Sequence, residues 1–150
     1  MEREKMTIDE ALSKIENYLS GIYYGYEEEI IDPIQAQVLY AFLQAKSLKT
    51  SIIISEKYSL LGELTKKYIE TLVEVRKELE NELDLAKVNE KKIENLCLQR
   101  SEKLRELKQN IESLKLDIKG LSNEVKHYAY LSNAWRSVIE KILQEWKGQG

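Results

Sequence analysis

One pattern governs what this chain can become. With Leu104 as position a of a heptad, the a and d positions run Leu104, Leu107, Ile111, Leu114, Ile118, Leu121, Val125, Tyr128, Ser132, Trp135, Ile139, Ile142 and Trp146, and all but Ser132 are apolar. Six heptads exceed the three or four that separate a coiled-coil seam from an ordinary amphipathic helix. The phase is unchanged across Gly120, where a turn would have released it, so the helix is expected to continue through that glycine. Toward the N-terminus the register passes through Arg100, Cys97, Ile93, Glu90, Ala86, Leu83 and Leu79, diluted by the charges at Arg100 and Glu90. A further series, Leu61, Leu64, Tyr68, Leu72 and Val75, joins it through an inserted four-residue step of the kind that locally unwinds a supercoil.

Composition supports the helical reading. Glu, Lys, Leu and Ile dominate, Pro33 is the only proline and there are six glycines, so turns and strands are poorly provided for. From Glu63 to Lys119 there is neither glycine nor proline. An unbroken helix over that run would be roughly 85 Å long, against about 30–40 Å for a compact globule of this chain length. The run must therefore fold back or project, and Asn89 and Gly120 are the candidate turns. The expected fold is all-α: a head of short N-terminal helices over residues 1–50, then a long helix or helical hairpin over residues 51–150 forming a coiled coil.

The head opens on Thr7-Ile8-Asp9-Glu10, a capping box. Ile8, Leu12, Ile15, Leu19 and Ile22 follow on one helical face, and Gly21 is the expected C-cap. Asp32 suits an N-cap and Pro33 the first position of a second helix. Its apolar residues Ile34, Val38, Leu39, Ala41, Phe42 and Ala45 cover a face broad enough to touch more than one neighbour. The polar run Ser47-Leu48-Lys49-Thr50-Ser51 is expected to break it, and Ile52-Ile53-Ile54 is too short to require a strand.

The seam at 104–146 needs a cover. Burying each side chain contributes about 1.5–3 kcal/mol, whereas ordering each residue costs about 1–2 kcal/mol of backbone entropy, so a lone helix does not offset its own cost. Either residues 7–100 fold back over the seam or a second copy does. Two short head helices are too small to cover it, and the expectation is a homo-oligomer, with another protein as a further partner.

Residues for chemistry are sparse. His127 is the only histidine and Cys97 the only cysteine, and no metal-ligand spacing, Gly-rich phosphate loop or nucleophile–base pair is present, so no enzyme activity, metal or cofactor is expected. Glu27-Glu28-Glu29 is the one dense carboxylate cluster, read as a solvated acidic edge. With no signal peptide, no apolar stretch long enough to span a bilayer and one cysteine, the expected setting is intracellular and cytoplasmic, or a virion if the chain is viral.

Two sets of residues are candidates for binding. Tyr18, Tyr23, Tyr24 and Tyr26 crowd around the first turn, where amphipathic rings either dock a partner or plug the junction between helices. Arg100, Lys103, Arg105 and Lys108, followed by Lys115, Lys119, Lys126 and Arg136, could track a phosphate backbone, with Tyr128, Tyr130 and Trp135 for base stacking. Yet acidic residues interleave with the basic ones, and the formal charge is −3.

The end of the chain, His127-Tyr128-Ala129-Tyr130-Leu131-Ser132-Asn133-Ala134-Trp135-Arg136-Ser137-Val138-Ile139-Glu140-Lys141-Ile142 after a helical arm, resembles the C-terminal helix of small phage recombination mediators. That resemblance implies an oligomeric helical protein that loads a recombinase onto single-stranded DNA, and it carries over no individual residue. The first expectation remains a non-enzymatic oligomeric coiled-coil scaffold or adaptor; the alternative is a single-stranded DNA-binding mediator.

Overall fold

The computed structural model describes residues 6–25 and 30–148, and these form four α-helices and no strand. Helix α1 spans Ile8–Tyr24, α2 Pro33–Glu82, α3 Glu90–Arg100 and α4 Glu102–Gly148. The all-α expectation holds. No described helix is long and apolar enough to cross a membrane.

Local chemistry explains the boundaries. Thr7 caps α1, its Oγ1 accepting the Glu10 N–H at 3.1 Å. The helix does not stop at Gly21, as its sequence suggested. Gly21 is buried in the last turns, and the chain leaves the helix at Gly25, whose φ of 74° is left-handed and whose N–H returns to the Gly21 carbonyl. Asp32 caps α2 as expected, its Oδ1 accepting the Gln35 N–H at 2.7 Å.

The expected break at Ser47–Ser51 does not occur, for α2 is continuous over 50 residues. Thr50 is turned inward and donates its hydroxyl to the Lys46 carbonyl at 2.9 Å, so the polar run stays helical by bonding back along the helix. Ile52, Ile53 and Ile54 follow in the same helix.

The chain turns back between Glu82 and Asn89, close to the expected point. The Ala86 N–H bonds the Asp84 carboxylate at 3.1 Å, and Asn89 caps α3 by accepting the Lys92 N–H at 2.8 Å. Ser101 then ends α3 and starts α4: its N–H bonds the Cys97 carbonyl, while its Oγ accepts the Leu104 N–H at 3.1 Å. Arg105 fastens this junction by donating from Nη1 to the carbonyls of Leu98 and Gln99, the exposed acceptor end of α3. Helix α4 passes through Gly120 without interruption, as the heptad phase implied.

Two compact units emerge, one from residues 1–53 with 121–150, the other from residues 54–120. The unit boundaries fall inside α2 and α4, so each of these helices contributes to both units.

In the first unit, α1, the first part of α2 and the last part of α4 share one core. Ala11, Leu12, Ile15, Ile31, Ala36, Leu39 and Leu43 pack with Tyr128, Leu131, Trp135, Val138, Ile139 and Ile142. Trp135 is fully buried, donates its indole N–H to the Ala36 carbonyl at 2.9 Å and receives the Tyr18 ring edge-on at 5.5 Å. Gln44 bonds Ser132 at 3.2 Å, which gives the one polar seam position a partner. Contacts that climb α2 descend α4, so the two segments are antiparallel here.

In the second unit Val75, Leu79, Leu85, Ile93, Cys97 and Leu104 form a separate core. Ion pairs staple its surface: Arg100 grips Glu82, with Nη2 to Oε1 at 2.8 Å, and Arg76 reaches Glu90 at 2.9 Å. No buried side-chain N or O atom among the described residues lacks a hydrogen-bond partner.

Trp135→Ala is expected to cost about 3–5 kcal/mol in urea unfolding, the usual loss for a buried tryptophan. Glycine replacements should split in sign: a Cβ at Gly120 meets nothing within 4 Å, so Gly120→Ala should stabilise by about 0.5–1 kcal/mol, whereas Gly25→Ala should destabilise because φ is positive there.

Candidate interaction face

The broad apolar face of early α2 divides between two directions. Ala36, Leu39 and Leu43 point into the first core. The other set, Ile34, Val38, Ala41, Ala45, Leu48 and Ile52, recurs at alternating steps of four and three on the opposite side and is exposed along its whole length. Ile34 is 77% exposed, Leu48 63%, Ile52 50% and Val38 45%. An exposed apolar stripe on a helix whose other face is already packed makes this segment a candidate interaction surface.

Charge is withdrawn from the same segment. A third of the chain is charged, yet between Pro33 and Ser55 the only ionised side chains are Lys46 and Lys49. Lys46 turns toward Asp9, its Nζ 3.9 Å from the carboxylate. Depletion of charge at the centre and polar groups at the rim, here Gln35, Gln37, Gln44 and Ser51, is the composition of a protein-binding patch.

The heptad side chains expected to form an oligomer seam are occupied by the chain itself. Leu104, Leu107, Ile111, Leu114, Ile118, Tyr128, Trp135, Ile139 and Ile142 are buried, Leu121 and Val125 are half-buried, and Trp146 is exposed. The reason is the continuity of α2: with no break at 47–51 the chain supplies a 50-residue helix, far more cover than two short head helices would. Folding back therefore meets the energetic need that had argued for a second copy on this seam.

The tyrosine set separates as well. Tyr18 packs on Trp135, whereas Tyr23 and Tyr24 lie exposed as an edge-to-face pair with centroids 5.0 Å apart, beside a shallow depression lined by Leu19, His127, Tyr130 and Leu131. Glu16 and His127 approach at 3.3 Å on its rim. Tyr26 and the Glu27–Glu29 cluster lie outside the described residues.

Three of the four basic candidates are engaged internally. Arg100 binds Glu82 and Glu78, Arg105 caps α3, and Lys108 approaches Glu94 at 3.9 Å. Lys103 lines a groove with Lys67, Glu70, Glu74 and Glu106, where carboxylates balance the ammonium groups. Farther along α4, Arg136 donates to the Tyr40 hydroxyl at 2.7 Å, and of the rings considered for stacking only Tyr130 is exposed.

Titration follows from these contacts. The Arg100 guanidinium, hydrogen-bonded to Glu82, holds that carboxyl below its ordinary range. Burial pushes the Cys97 thiol up. It also pushes up the Tyr68 phenol, which is raised further by its hydrogen bond to Glu94. Among the described residues no group of three His, Cys, Asp or Glu could hold a metal ion.

Because Cys97 and Tyr68 lose protons less readily folded than unfolded, their contribution to stability is complete below the unfolded values and disappears as pH rises through the folded ones. Thermal unfolding should accordingly shift to lower temperature as pH is raised beyond the ordinary thiol and phenol range of about 8.5–10. Cys97→Ala should remove the earlier part of that fall.

No family model matches this chain, and neither a curated protein nor a solved structure matches it.

Proposed function

We propose that this chain is a non-enzymatic helical interaction protein, a scaffold or adaptor that engages a protein partner through the exposed face of α2. The observation that carries the reading is the Ile34–Val38–Ala41–Ala45–Leu48–Ile52 stripe, apolar and open over a segment nearly emptied of charge. A folded chain gains nothing from leaving this much branched aliphatic surface in water, whereas a helix-in-groove or helix–helix contact would bury it. The non-enzymatic part is supported by the buried, raised thiol, which favours the unreactive neutral form. It is supported too by the one histidine, His127, which lies against the Glu16 carboxylate and the Tyr128 ring.

For the alternative, a single-stranded nucleic-acid mediator, three of the four expected phosphate-binding residues, Arg100, Arg105 and Lys108, are committed to carboxylates and helix-end carbonyls within the chain, so a strand would have to displace existing contacts.

A photo-reactive residue at Val38 or Ala45 should yield a discrete protein adduct in the native host, while one at Glu140 on α4 should yield none. Leu48→Lys should abolish the adduct without changing the helical circular dichroism. The reading is wrong if no adduct forms and a labelled single-stranded oligonucleotide instead binds with affinity that drops about tenfold or more between about 50 and 200 mM salt.

A further inference from the structure

We infer that the partner for this face is a second copy of the chain, with the two α2 stripes packed antiparallel about a two-fold axis at the level of residue 43. This rests on the α2 face being an interaction surface and adds what occupies it.

The stripe is its own mirror in sequence. Ile34 and Ile52 lie nine residues either side of position 43, Val38 and Leu48 five, and Ala41 and Ala45 two. Reversing the helix therefore sets isoleucine against isoleucine, valine against leucine and alanine against alanine. A two-fold interface requires a surface complementary to itself in this way, because each residue i that meets j implies j meeting i. Binding an unrelated helix imposes no such symmetry.

Size and charge agree. The smallest side chains stand at the centre, where two crossing helices come closest, and the larger branched ones stand at the ends, where the axes diverge. Along the rims an antiparallel pair sets Lys49 beside Gln35, Gln37 beside Ser51, and Phe42 and Gln44 each beside its own copy, so no like charges meet. A parallel in-register pair would extend the same heptad positions into Ser55, Ser59, Gly62 and Lys66, adding polar layers and setting Lys66 against its own copy. Opposed helix dipoles also favour the antiparallel arrangement.

The extent of the contact sets its strength. A stripe of this length covers roughly 28 Å of helix, and a single helix pair of that size buries on the order of 1,000 Å² in total, at the low end for specific complexes. The dimer is therefore weak and concentration-dependent, with a dissociation constant on the order of tens of micromolar or above.

Sedimentation of the intact chain from about 1 to about 200 µM should show the mass rising from 17.6 kDa toward twice that value. Leu48→Lys, at an exposed site that does not threaten folding, should shift the midpoint at least tenfold upward. Orientation is read with a short bis-maleimide linker and the buried Cys97 left in place. A mixture of Val38→Cys and Leu48→Cys chains should cross-link, while Val38→Cys alone should not. A chain that stays monomeric throughout, a dimer indifferent to Leu48→Lys, or cross-linking of Val38→Cys to itself overturns the inference. Monomeric behaviour alongside an adduct at Val38 that contains a different protein would defeat the second copy while leaving the interaction reading standing.

Discussion

The first unit depends on the indole of Trp135. A tryptophan can be fully buried at little cost only when its N–H finds an acceptor, and here the Ala36 carbonyl supplies one at 2.9 Å. That bond fixes the height of α4 against α2 to within one residue. Tyr18 closes on the ring from α1, so one side chain sets the relation of three helices at once. Seam positions above and below it then fall into line: Tyr128, Ile139 and Ile142 are buried because the registry that serves Trp135 serves them too.

The heptad phase made α4 legible from sequence, including its passage through Gly120, since periodicity reports which side chains must be covered. Periodicity does not say by what. The covering element was obscured at Ser47–Ser51, where five residues of loop-like composition sit inside a helix. Thr50 belongs there because it faces inward and bonds to Lys46, a tertiary circumstance that no local propensity expresses. Taken as a break, that one segment leaves too little helix to cover α4, and only that shortage calls for a second copy there.

The breadth of the apolar face on α2 was visible in the sequence, and so was its implication of more than one neighbour. What could not be read was the division: Leu39 and Leu43 inward, Val38 and Ala41 outward. The basic residues are the converse case. Arg100 and Arg105 read as a charged face, but one closes an ion pair across the turn to Glu82 and the other takes up the last carbonyls of α3. Guanidinium groups suit both tasks because their planar donors meet two acceptors at once. The Ser101–Glu102 pair, a capping residue followed by an acid in the first turn, was the local sign of a junction that the unbroken heptad phase concealed.

Ser101 joins α3 to α4 with no spare residue, so the junction behaves as a vernier. Each residue of helix turns its neighbours by about 100°, and Cys97 and Leu104 enter the same core from opposite sides of this single position. A one-residue insertion or deletion there would rotate one of them out of the core while leaving both helices free to form. The fold thus tolerates change of composition along its surfaces more readily than change of length at this point, where the spacing between Cys97 and Leu104 holds both side chains in one core.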